Sequence, residues 1–139
     1  MRLFVDTSAF YALTDESDAE HARVLAIYEA RAAVGDLVTT DYVLVESCLL
    51  VRARLGRAAA RRFWRGMRLG PVEIVGVTAE DLERAWTIDA KFADQHFGLV
   101  DSTSFALMER LGIEQALSLD AHFRVVRIGR SGRALAVTP

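Results

Sequence analysis

The sequence predicts an α/β fold: a mainly parallel sheet with helices on both faces. Two observations predict it. Short apolar runs alternate along the chain with stretches of helical spacing, the pattern of strands separated by helices. The apolar runs are also mostly continuous rather than alternating, as strands covered on both faces must be. The 139 residues fit one domain, 1–139, and a 52% hydrophobic composition supplies a substantial core.

The elements follow in order. Arg2–Val5 reads as a short buried strand. Thr7–Leu13 is a short helix capped by Asp6 or Thr7. Asp18–Ala33 carries apolar residues at 22, 25, 26 and 30, a helical spacing that Gly35 stops. Leu37–Thr39 is a second strand. Asp41–Leu55 and Ala58–Leu69 are helices, closed by Gly56 and by Gly70-Pro71. Val72–Val77 is a third strand. Thr78-Ala79-Glu80-Asp81 has a capping-box pattern and opens a helix running to Ala93. Leu99–Leu111 is a helix ending at Gly112. Gln115–Leu119 and Val125–Ile128 complete the set as strands. There is no repeat, low-complexity segment or linker.

Composition narrows the function. No run approaches the roughly 20 apolar residues of a membrane span, and Asp6 breaks the apolar start, which does not read as a signal peptide. A cytoplasmic location is the expectation. The single cysteine, Cys48, excludes an internal disulfide and reads as a small buried hydrophobe. Without a Cys/His cluster a structural zinc site is not expected. The net charge of −2 hides an uneven distribution. Residues 1–50 carry nine acids and three arginines, whereas 52–68 carry seven arginines and no acid. A second basic cluster is Arg124, Arg127, Arg130 and Arg133. Local field outweighs the sum, so an acidic pI leaves a polyanionic partner open. Guanidinium suits phosphate, although a general bias toward arginine would also produce these clusters.

Four carboxylates sit where an apolar run ends or a helical run begins: Asp6, Glu46, Asp101 and Asp120. Burying an unpaired charge is costly, so such acids face water or share a partner. In open parallel sheets, sites form outside the carboxyl ends of the strands, and all four can reach one such end. Crowded carboxylates repel unless a cation joins them. Oxygen-only ligands favour Mg²⁺ or Mn²⁺. A divalent metal there supports phosphodiester hydrolysis without a protein nucleophile. Each acid taken singly also has a plain reading as a cap or a solvated residue.

The segments VDTSAFYAL, VLVESCLLVRARLG, LVDSTSFALMERLGI and LSLDAHF, in that order, resemble the successive motifs of PIN-domain proteins. More narrowly, they are similar to the VapC-like ribonuclease toxins of toxin–antitoxin pairs. The resemblance covers nearly the whole chain. It implies a three-layer α/β/α sandwich, a metal-dependent endoribonuclease, a homodimer and a protein antitoxin. Carried over residue by residue, it makes Asp6, Glu46 and Asp101 metal ligands, directly or through water. Asp120 supports the metal or orients the attacking water. Ser8, two residues after the first acid, stands to orient Asp6. Ser118 occupies a position where family members often carry threonine. Thr103 is a second hydrogen-bond candidate beside the ligands, with helix packing as its alternative.

Other residues fit plainer roles. Asp94 is expected near a helix end in water, Asp89 at a boundary beside an arginine, and His122 in solvent or in a cap rather than as a general base. Phe63 and Trp64 are expected to pack inward or at an interface, with base stacking as the alternative. Tyr42 and Val43 are candidates for a dimer surface. A receiver domain would need an acidic pair after the first strand, and a dehalogenase-type phosphatase an aspartate at position 8; both fail here. A non-catalytic PIN-like module, a housekeeping RNA-processing nuclease and a DNA nuclease remain as alternatives.

Overall fold

The computed structural model describes residues 1–139. Five strands form one parallel sheet in the order β3-β2-β1-β4-β7. These strands are β1 (Leu3–Val5), β2 (Leu37–Thr40), β3 (Glu73–Val75), β4 (Gln115–Leu117) and β7 (Ala136–Thr138). Leu3 of the central strand lies opposite Leu37 on one side and Gln115 on the other. Every residue of β1 and β2 is buried. Helices therefore cover both faces, which explains why these runs are continuously apolar.

The helices are α1 (Thr7–Thr14), α2 (His21–Val34), α3 (Asp41–Leu55), α4 (Arg57–Leu69), α5 (Ala79–Lys91), α6 (Gly98–Leu111) and the single turn α7 (His122–Val125). α1 packs on α2 and α3, α3 on α4, and α5 on α6; α3 also meets α6. One apolar cluster runs through all these layers, with Phe4, Phe10, Phe105 and Phe123 among its largest fully buried side chains. Phe105 meets Phe123 edge-on with 4.8 Å between ring centroids, a preferred aromatic geometry. No helix is long and apolar enough to cross a membrane.

Local signals account for the helix ends. The Thr40 hydroxyl accepts the Val43 N–H at 3.0 Å and starts α3 where β2 stops. The capping box at Thr78 and Asp81 forms in full. Gly112 ends α6 at φ 66°, and the Ile113 N–H reaches back to the Met108 carbonyl at 2.8 Å.

Two sequence expectations need correction. Val125–Ile128 is not a strand of the sheet. His122–Val125 instead forms α7, and only β5 (Arg127–Ile128) is extended, pairing antiparallel with β6 (Arg133–Ala134) in a separate ribbon. The fifth sheet strand is β7, which overlaps the end of the short apolar run Ala134–Val137. It becomes a strand by pairing in parallel with β4.

Candidate active site

Asp6 leaves the carboxyl end of the central strand and occupies the N-cap position of α1, yet its side chain makes no cap hydrogen bond. The expected capping role gives way to another. The Ser8 and Ser118 hydroxyls both donate to Asp6 Oδ2, at 2.9 and 3.0 Å. Each hydroxyl in turn accepts a backbone N–H: Ser8 from Leu119 at 2.9 Å, Ser118 from Asp120 at 3.0 Å. Each serine accepts on one lone pair and keeps its one proton for Asp6. The hydroxyl expected at position 118 is thus present and used.

Asp101 lies in the first turn of α6 and Asp120 just beyond β4. The Asp120 carboxylate accepts the His122 N–H at 2.9 Å, closing a short turn into α7. This turn aims the His122 ring at Asp101: Nδ1 donates to Asp101 Oδ2 at 2.7 Å and lies 3.5 Å from Asp120 Oδ1. Potential ligand atoms of Asp101, Asp120 and His122 all fall within 4.8 Å of one another. His122 was expected in solvent or in a cap. Its backbone does cap, but its ring is built into the acidic group. The Asp-Ala-His spacing that places it is visible in the sequence; its contact with a residue 21 positions away is not.

Exposure grades across the three aspartates: Asp6 is 2% exposed, and the side chains of Asp101 and Asp120 are 12% and 35% exposed. Burial raises the Asp6 carboxyl above the ordinary range, outweighing the two serine hydrogen bonds, and the Asp120 charge adds to the rise. Asp101 is raised to about 7, first by burial, with the charges of Asp6 and Asp120 adding to it against the lowering hydrogen bond from His122. Burial alone would lower the His122 imidazole. Its hydrogen bond to Asp101 and the charges of Asp120 and Asp101 reverse this and raise it. Asp6 and Asp120 thus act on Asp101, and Asp120 on Asp6, so the three form one electrostatic unit.

The remaining candidates are placed as follows. Glu46 sits half-buried in the second turn of α3 and has neither a hydrogen bond nor an ion pair in this arrangement; its carboxylate is outside the 4.8 Å group, as is that of Asp6. The Thr103 hydroxyl turns back into its own helix, onto the carbonyls of Leu99 at 2.8 Å and Val100 at 3.0 Å, and reaches no acid. Packing in α6 is its observed role. Asp94 is exposed and bonded to Gln95. Asp89 is exposed without the arginine expected beside it.

This donor set suits a hard divalent cation. Asp6 and Asp101 are pushed toward their protonated forms by burial and by neighbouring carboxylate charge, and a cation relieves both. The sheet order, the acid at the end of its central strand and this electrostatic unit can be compared with known proteins. A model of the PIN domain matches residues 3–129. The chain belongs to the PIN-domain family. It is 34% identical over 122 residues to the "23S rRNA-specific endonuclease VapC20" of Mycobacterium tuberculosis, covering 87% of this chain and 91% of that one. It is 32% identical over 132 residues to "Ribonuclease VapC26" of the same organism, covering 94% and 96%. The crystal structure of VapC20, described as a sarcin-ricin-loop-cleaving toxin, superposes with a TM-score of 0.79 at 32% identity over 86% of this chain and 90% of that chain. Within the PIN family the chain is therefore a VapC-type ribonuclease toxin. PIN nucleases act with a divalent metal ion.

Proposed function

We propose that this VapC-type protein is a Mg²⁺- or Mn²⁺-dependent endoribonuclease whose metal is held by Asp6, Asp101 and Asp120, with Glu46 completing the set directly or through water. The observation that carries the reading is the convergence of Asp101, Asp120 and His122, whose ligand atoms lie within 4.8 Å of one another, with the Asp6 charge close enough to act on Asp101. When bound, the metal supplies Lewis-acid polarisation of the scissile phosphate and an activated water. The chain supplies the rest. Ser8 and Ser118 oppose part of the burial-driven rise in the Asp6 pKa and fix its orientation. His122 holds Asp101 in place and, by hydrogen bonding to its charged form, favours that form. Asp120, the most open of the three, is placed to orient water.

The VapC20 likeness supports ribosomal RNA as the substrate class. The partners proposed for this chain are those of a toxin: a protein antitoxin and a second copy of itself. Exposed Trp86 and Leu99, beside a cavity of about 230 Å³, support a self-interface. An apolar groove of about 390 Å³ lined by Phe10, Leu13, Leu25, Tyr28, Phe63 and Met67 supports an antitoxin segment. The deciding experiment is cleavage of purified ribosomal RNA in Mg²⁺ by wild type and by Asp6→Asn. The variant is expected to lose cleavage by at least about 10³-fold while keeping its circular dichroism spectrum. Wild-type cleavage by Asp6→Asn would remove Asp6 from the site.

A further inference from the structure

Two groups of arginines contrast in this protein. Arg2, Arg23, Arg31, Arg84, Arg110 and Arg133 each face a carboxylate. The seven between positions 52 and 68 are all exposed, and none makes an ion pair. On α4, Arg57, Arg61, Arg65 and Arg68 recur at helical spacing on the outer face, while Phe63 and Met67 turn inward. Trp64 lies within the cationic stripe, 47% exposed, with the Arg61 guanidinium 5.5 Å from its ring centroid. Arg61, Arg62, Trp64, Arg65, Arg68 and Leu69 line an open cleft of about 580 Å³.

Uncompensated charge of one sign on one helix is self-repulsive and calls for a polyanion. An aromatic ring among those charges, already stacked by a guanidinium, is the pairing that binds a nucleobase beside its phosphate. An amphipathic protein helix would want a broad apolar strip. This face offers only Trp64 and Leu69. The helix that bears the stripe touches α1, the helix that Asp6 begins. Phe63 packs edge-on against Phe10 at 5.5 Å, and the Phe10 N–H donates to the Asp6 carbonyl at 3.1 Å. The outer face of α4 therefore stands about one helix diameter, roughly 10 Å, beyond the helix that begins at Asp6.

We propose that the outer face of α4 is an RNA-holding surface separate from the carboxylates: Arg61, Arg65 and Arg68 grip backbone phosphates and Trp64 stacks on a base of the same strand. It rests on the ribonuclease reading and adds where the RNA lies away from the cut.

The test uses the full-length chain carrying Trp86→Phe, so that Trp64 is the only tryptophan. It is titrated in EDTA with a single-stranded RNA of about 20 nucleotides, longer than a typical footprint, and separately with polyglutamate. RNA is expected to quench Trp64 fluorescence. Replacing Arg61, Arg65 and Arg68 together by Gln, which keeps good helix formers on an exposed face, is expected to weaken RNA binding at least tenfold. It should also lower the slope of log affinity against log salt by about 0.7 per arginine lost. Unchanged Trp64 emission together with unchanged affinity and slope in the triple variant overturns the proposal. So does quenching by polyglutamate without quenching by RNA, which would make the face a protein-docking surface. Cleavage by the same variant in Mg²⁺ separates the two readings. A triple variant that still cuts a short oligonucleotide at the wild-type rate leaves the carboxylate centre standing whatever the binding data show. A wild type that cuts no RNA fails the ribonuclease reading while leaving the fluorescence result to be judged by itself.

Discussion

The His122 ring nitrogen Nδ1 sits 2.7 Å from Asp101 Oδ2, joining the turn after β4 to the first turn of α6. Because the Asp120 carboxylate holds the His122 backbone at 2.9 Å, one residue ties two acids into fixed relative positions. This makes His122 a positioning residue. His122→Ala is expected to remove the hydrogen bond that lowers the Asp101 pKa, so that Asp101 protonates more readily. Metal affinity should fall by about 10–100-fold, the usual effect of losing a ligand's supporting partner. The alkaline displacement of the pH–rate profile is the discriminating readout. An unshifted profile with only a lower melting temperature would reduce His122 to a packing role.

Asp101 at about 7, and Asp6 and His122 raised above their ordinary values, share one sign. Each binds protons more tightly folded than unfolded. Where the folded state holds more protons, stability falls as pH rises. For the aspartates the loss begins above the unfolded value near 4 and, for Asp101, continues to about 7; for His122 it begins near 6.5. The metal-free protein should therefore melt several degrees lower at pH 8 than at pH 5.5. Mg²⁺ should recover the loss at pH 8 and do little at pH 5.5, where protons compete for the same oxygens. Differential scanning calorimetry at the two pH values, with and without Mg²⁺, measures this. Equal melting temperatures in all four conditions would contradict the coupling of these groups.

The two serines offer a sharper probe, because both protons converge on one oxygen of Asp6. Ser8→Ala or Ser118→Ala leaves a backbone N–H of Leu119 or Asp120 without its acceptor and removes one donor from a buried carboxylate. Each is expected to cost about 1–2 kcal/mol in stability and to weaken metal binding. The hydroxyls lie 3.3 Å apart, so the double variant should be non-additive. Denaturant unfolding of the four-member cycle yields the coupling. Strict additivity would mean that the serines act independently on Asp6.

The sequence made β1, α3 and the Thr78 cap legible because each is set by local chemistry: a fully apolar run, a helical run closed by Gly56, a reciprocal Thr–Asp pair. β7 was not legible. Its three residues gain strand geometry only from β4, some twenty positions upstream. Val125–Ile128 reads as one strand because Val125, Val126 and Ile128 have high β propensity, whereas the Asp120 side chain bonded to the His122 N–H starts a helical turn that takes in Val125 and leaves only Arg127–Ile128 extended. At the site, the positions of the acids followed from strand ends and helix starts. The His122–Asp101 contact and the turning of Thr103 into its own helix did not, since both depend on how α6 and the β4–α7 turn are set against each other.

That setting of α6 depends on a second acid, whose pH response runs the other way. Asp81 is 2% exposed, accepts the Arg110 guanidinium through both oxygens at 2.8 and 2.9 Å, and also accepts the Thr78 N–H. The Arg110 hydrogen bonds hold its carboxyl below the ordinary carboxylate range. Its contribution to stability is therefore present above the unfolded value near 4 and is lost as pH falls through the lower folded value. Asp81→Asn removes the charge opposite Arg110 and weakens the cap that starts α5, which packs on the helix carrying Asp101. The expected cost is roughly 2–3 kcal/mol, that of breaking a charge-assisted pair with one partner buried. The pair lies away from the carboxylate centre, so the variant should keep the wild-type pH–rate profile at temperatures where it is folded. Unfolding curves paired with that profile check the separation. A shifted profile in Asp81→Asn would show that the α5–α6 contact reaches Asp101 and tunes the site itself.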